Sequence, residues 1–155
     1  MKIKSKIMRY IFTLVGCVLL GYLLWLSLRP VEIIAVHQRN NYSDVLVKNF
    51  PLTDKGRIEW WLKNKDRLNH RYDIPKPASY GDFTINFWLF GKGYQKEGKD
   101  DRLCFSDIKT EANCIDKNLL FAINKSQNFG VRFISYDGDD YQLGKNGEII
   151  KINRK

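Results

Sequence analysis

Few side chains in this chain have the type and spacing to do chemistry. There are two histidines, His37 and His70, and neither sits in an H-E-x-x-H helix or answers a G-x-S-x-G elbow elsewhere. His37 falls at the end of a predicted strand. His70 falls near a predicted helix C-terminus, where the helix dipole favours it without any further role. Gly91-Lys92-Gly93 lacks the lysine-hydroxyl end of a phosphate-cradling loop. Asp137-Gly138-Asp139-Asp140 reaches Glu148 at the twelfth position, as a calcium loop would. However, Tyr141 and Gln142 occupy its fifth and sixth positions, and a tight Asp-Gly turn explains the string better. No catalytic set, metal centre or cofactor site emerges, so the expectation is a protein that is not an enzyme.

Cys104 and Cys114 are close in sequence, in CFSDIKTEANC. They are not a C-x-x-C redox pair, and further metal ligands are lacking. In an oxidising compartment such a pair reads as a disulfide, which would stabilise a fold by roughly 2–4 kcal/mol.

One surface pattern points to binding. Arg57, Trp60, Asn64, Arg67 and Arg71 follow one another at helical spacing, bordered by Lys63. Exposed Trp and Arg are residues that interfaces favour, so this stripe is a candidate docking face for an acidic partner or for lipid head groups. The plainer reading is a solvated face, with Trp60 tucked under a neighbouring strand.

These candidates depend on the elements that position them. Residues 10–28 carry no charge, and as a helix they would cover roughly 28 Å, about the hydrocarbon thickness of a bilayer. Lys2, Lys4, Lys6 and Arg9 precede this run, with no acid among them. By the positive-inside rule residues 1–9 are cytoplasmic, residues 10–28 cross the membrane and residues 31–155 lie outside. In a bacterium that places the domain in the periplasm, an oxidising compartment that suits the cysteine pair. A cleaved signal peptide would have a shorter apolar run and a small-residue cleavage site. Leu14-Val15-Gly16-Cys17 resembles a lipobox, but the chain beyond Cys17 stays apolar where a mature lipoprotein would be polar. The expectation is an uncleaved anchor, with Tyr22 and Trp25 in the outer aromatic belt.

The outer part is one domain in length. Residues 31–37 and 44–48 read as strands that could pair as a hairpin. A helix opens at Thr53 or Asp54, with Ile58, Trp61, Leu62, Leu68 and Tyr72 on its inward face. It should stop before Ile74-Pro75-Lys76-Pro77. Residues 83–90 alternate on both registers, so both faces of that strand should be at least partly covered. Strands are predicted at 102–105, 119–123, 131–136, 141–143 and 148–152. The predicted class is therefore α+β: one principal helix packed on antiparallel strands, behind a single transmembrane helix.

Several strings resemble an enterobacterial inner-membrane protein family catalogued as domain of unknown function 943. They are LRPVEIIAVH from Leu28, NYSDVLVKNFPLTDKG from Asn41, IEWWLKNK from Ile58, DRLC from Asp101 and GEIIK from Gly147. The resemblance runs nearly the whole chain. It implies a single-pass inner-membrane protein with the two outer cysteines as part of the pattern, and it brings no activity or catalytic residues. The net charge is +9, and a basic domain outside the inner membrane is not expected to meet nucleic acid. The expected partners are another protein, acidic in character, and inner-membrane lipid along residues 10–28. The functional expectation is a tethered, non-catalytic protein-binding module. Its most specific form is an immunity protein against an envelope-acting toxin; the alternative is an accessory subunit of an envelope complex or sensor.

Overall fold

The computed structural model describes residues 2–153. The expected 1–9 segment begins, and the expected 31–155 domain ends, on residues outside that range: Met1, Arg154 and Lys155. The chain divides after Pro30 into two units.

The first unit is the helix α1, Lys2–Leu28. It starts before the apolar run because Lys, Ile and Met in its first turns are acceptable helix formers and no Gly or Pro interrupts them. From Ile3 to Leu28 it is long and apolar enough to cross a membrane. The hydroxyls of Thr13 and Ser27 are satisfied within the helix. Thr13 Oγ1 donates to the Arg9 carbonyl and Ser27 Oγ to the Leu23 carbonyl, each at 2.9 Å. The Arg29 guanidinium lies 3.6 Å over the Trp25 ring, a pairing that suits the polar edge of a bilayer.

The second unit is built on a seven-stranded sheet of order β1-β2-β3-β6-β7-β8-β9. The strands β1 (Glu32–Arg39) and β2 (Tyr42–Lys48) form the expected hairpin, turning at Asn40, whose φ is 55°. Next comes α2, Asp54–Tyr72. Thr53 is its N-cap and accepts from the Gly56 N–H at 3.1 Å. Its C-cap, Asp73, is left-handed, with its N–H returning to the Asn69 carbonyl.

The strand β3 (Phe83–Leu89) then lies parallel to β2. This corrects the expectation of antiparallel strands for one pair. Parallel neighbours need a crossover connection, and α2 is that crossover. All other pairs in the sheet are antiparallel: β3 with β6 (Leu119–Ser126), then β7 (Gly130–Ser135), β8 (Asp140–Leu143) and β9 (Ile149–Ile152). Between β3 and β6 the chain makes a separate two-stranded sheet, β4 (Arg102–Cys104) and β5 (Cys114–Asp116). The strand β5 was not expected from the sequence.

Each sheet face has its own core, because alternate side chains point to opposite faces. Under α2, Val45, Ile85, Phe87, Phe121, Ile123 and Phe133 are buried with Ile58, Trp61 and Leu68 from the helix. Phe87 stacks on Phe50 at 5.0 Å and meets Trp61 edge-on at 6.4 Å. On the other face Leu46 packs with Phe105 and Ile115 from the small sheet, and Trp88 packs against them. The face of β3 under α2 is covered and the other is partly covered, at Trp88.

Candidate functional site

The helix α2 carries the candidate docking stripe, and the structure breaks that stripe up. Successive residues turn by about 100° around a helix, which puts Arg57 only about 40° from Trp61 in the core stripe. Arg57 is accordingly buried, with 2 % exposure, and it cannot serve an outside partner in this fold. Its Nε donates to the Pro51 carbonyl at 2.9 Å. Its Nη1 donates to the Leu120 carbonyl (2.9 Å), Ser135 Oγ (2.7 Å) and Asp137 Oδ1 (2.5 Å).

The rest of the stripe runs down one flank of α2. Trp60 is half-buried, edge-on to Phe50 at 5.4 Å and to Phe87 at 5.8 Å. Asn64 is half-buried and donates back to the Trp60 carbonyl at 2.7 Å. Only Arg67 and Arg71 are exposed, and the Arg71 guanidinium lies 5.4 Å from the Tyr72 ring centre.

The opposite flank carries a feature that no spacing in the sequence announced. The helix is narrower than the sheet, so part of the sheet beyond its flank stays uncovered. A groove of about 510 Å³ lies there, floored by Trp61, Leu62, Val131, Phe133 and Leu143. Its volume is within the range of ligand-binding clefts. Lys65, His70 and Lys125 line it with positive or protonatable groups, and Asp66 is the one acid. The groove joins an apolar floor to a mainly basic rim.

The cysteines are joined. Cys104 and Cys114 are directly opposite across β4 and β5 and form a disulfide. Cys17 is free and exposed on α1. The disulfide loop brings Phe105 and Asp107 onto β1. There His37 is buried and stacks on Phe105 at 3.9 Å. The His37 Nδ1–H donates to Asp107 Oδ2 at 2.7 Å, and Nε2 meets Tyr94 Oη at 2.8 Å. Tyr94 is held there because its neighbour Gln95 exchanges two backbone hydrogen bonds with Cys114.

An Asp–His–hydroxyl chain is the layout of a general-base relay, and here its hydroxyl is the phenol of Tyr94. Burial and the Asp107 charge push the Tyr94 phenol up, away from a nucleophilic phenolate. Burial disfavours the charged Asp107, but the hydrogen bond and charge from His37 outweigh it and hold this carboxyl below its usual range. The arrangement acts as a clamp between the disulfide loop and the sheet. Reasoning from sequence placed His37 at a strand end and missed its partners, which are 57 and 70 residues away.

The Asp137–Glu148 string folds as the β7–β8 turn, the strand β8 and the β8–β9 turn. Asp137 faces Arg57, the Asp139 N–H donates to Asp54 Oδ2 at 2.9 Å, and Glu148 Oε2 accepts from the Asn146 N–H at 3.0 Å.

An apolar helix of membrane-spanning length followed by a disulfide-clamped α+β domain is the plan of a small membrane-associated protein, and the exposed apolar side chains of α1 fit that plan. The chain belongs to the family described as "Enterobacterial putative membrane protein (DUF943)", and the match covers residues 2–153. No curated protein and no solved structure matches it.

Proposed function

We propose that this protein is a non-catalytic protein-binding module, anchored in the inner membrane by α1 with its α+β domain in the periplasm. In its most specific form it is an immunity protein that occludes an envelope-acting toxin. The observation that supports this reading is the groove beside α2. Its floor of Trp61, Phe133 and Leu143 suits apolar side chains, and Lys65 and Lys125 suit carboxylates. The fitting occupant is an acidic partner segment carrying one or two large apolar residues. Occlusion needs a surface and no reacting group.

The test is co-culture of a strain deleted for this gene with its unmodified parent. Selective killing of the deletion strain, rescued by the plasmid-borne protein, supports immunity. Rescue should fail for Lys65→Glu with Lys125→Glu at equal protein level, and should persist for Arg67→Glu with Arg71→Glu. Equal growth of both strains, with the parent's contact-dependent weapons expressed, sinks the immunity reading. Rescue by the groove variant would remove the groove from it.

A further inference from the structure

A second cleft, of about 350 Å³, opens on the sheet face opposite α2, over β3, β6 and β7. The strand pairings place Thr84 beside Asn124 and Asn124 beside Arg132, so these three side chains share that face. Around this polar floor stand three aromatic rings, Tyr42, Tyr80 and Phe129, each about half exposed. We propose that this cleft binds a saccharide bearing a carboxylate.

Three observations carry the assignment. First, the floor is short of partners. Among the described residues, Asn124 Oδ1 and Arg132 Nε are buried with no hydrogen-bond partner. The Arg132 guanidinium stacks 3.9 Å from the Phe129 ring centre, which holds its plane in place for a charged contact with a carboxylate. Second, the rim is held by its own supports. Gln127 Nε2 donates to the Tyr80 carbonyl at 3.0 Å, and Gln142 Nε2 donates to the Phe129 carbonyl at 2.7 Å. A preformed rim loses little freedom on binding. Third, the chemistry of the lining matches a sugar. Amide, hydroxyl and carboxylate groups from Asn124, Thr84 and Asp82 can donate to and accept from ring hydroxyls, while aromatic faces cover the C–H faces of the ring.

A peptide fits less well. The cleft lies over the middle of the sheet, where the backbone groups of β3, β6 and β7 are already paired, so no edge is open for strand addition.

The experiment titrates the full chain in detergent micelles with trigalacturonate, neutral galactotriose and triglutamate, followed by calorimetry. Trigalacturonate should bind saturably, and galactotriose about tenfold more weakly, as loss of a charged hydrogen bond predicts. Arg132→Gln should bring the acidic sugar down to the neutral one. Tyr80→Ala, at the exposed rim, should weaken both sugars with the thermal midpoint unchanged. No saturable binding by either sugar, or binding that ignores both variants, overturns the proposal. Galactotriose binding as tightly as trigalacturonate removes the carboxylate from it. Triglutamate binding as tightly as trigalacturonate overturns it in favour of an acidic peptide.

Discussion

Arg57 and Asp137, eighty positions apart in sequence, meet in a two-point grip: Nη1 lies 2.5 Å from Oδ1 and Nη2 3.3 Å from Oδ2. The guanidinium is inside the fold and the carboxylate is at its surface, with side-chain exposures of 3 % and 67 %. A reciprocal contact lies beside it. Asp54, from the first turn of α2, accepts from the Asp139 N–H and from Tyr141 Oη. The helix thus gives the β7–β8 turn a cation, while the turn gives the helix an N–H donor and β8 gives it an O–H donor.

Removing the guanidinium strips the Leu120 carbonyl, Ser135 and Asp137 of one donor together. Arg57→Met should cost about 3 kcal/mol, in the range for breaking a buried charged network. Asp137→Asn should cost only about 1 kcal/mol, because that carboxylate is largely in water. Urea unfolding of the full chain measures both. A loss for Arg57→Met no larger than that for Asp137→Asn would show that the grip is not a main support.

Acid should weaken the domain by way of the same carboxylates. The hydrogen bond from Arg57, and then its charge, hold Asp137 below its usual range against desolvation. Burial opposes the charged form of Asp54, but donors from Ser135, Asp139 and Tyr141, with the Arg57 charge, outweigh it and hold that carboxyl low as well. A carboxyl depressed in the folded state stabilises it fully above the unfolded pKa of about 4, and the gain is lost as pH falls through the lower folded value. Stability should therefore be flat near neutrality and drop below about pH 4, with a shallower drop in Arg57→Met. Equal slopes for wild type and variant would contradict this.

Gly138 leaves space for the Asp54 carboxylate. A Cβ at position 138 would overlap both of its oxygens. Gly138→Ala must push Asp54 off the Asp139 N–H, at an expected loss of about 1–3 kcal/mol. Asp54→Ala should remove most of that penalty in the double mutant, since the overlap disappears with the carboxylate. Simple additivity of the two losses would place the strain elsewhere.

Reduction of Cys104–Cys114 should act locally. Its loop is short, so the loss should be roughly 2–3 kcal/mol. The small sheet contacts the main one through Phe105, Asp107 and Ile115, and β6 and β7 do not depend on it. Hydrogen exchange under reducing conditions should quicken at residues 102–116 and stay slow in β6 and β7. Uniform quickening across the sheet would mean that the clamp supports the whole fold.

Local chemistry was legible in the sequence. The uncharged run became α1, Thr53 became the cap of α2, and Ile58, Trp61 and Leu68 became its buried stripe. Those signals depend on neighbours within a turn or two, where spacing and residue type are decisive. The strands of the β1–β2, β6–β7 and β8–β9 pairs were legible for the same reason, through their short apolar runs. The family of the chain could also be seen in its strings, and the match over residues 2–153 bears that out.

The docking stripe was only half legible. Its spacing placed Arg57, Trp60, Asn64, Arg67 and Arg71 along one side of α2. The angle between that side and the core stripe decided which of them reach solvent, and it excluded Arg57. A charged residue one turn from the N-cap and close to the core stripe was the available warning.

What the sequence by itself determined is an apolar helix of membrane length, an α+β domain with a capped helix, and a cysteine pair. Tertiary structure alone decided that β3 lies parallel to β2, that Arg57 is buried against Asp137, that His37 meets Asp107 and Tyr94, and where the two clefts open. The reason is range. Periodicity, caps and turns are set by contacts a few residues long, whereas these meetings join strands and loops that only the closed sheet brings together.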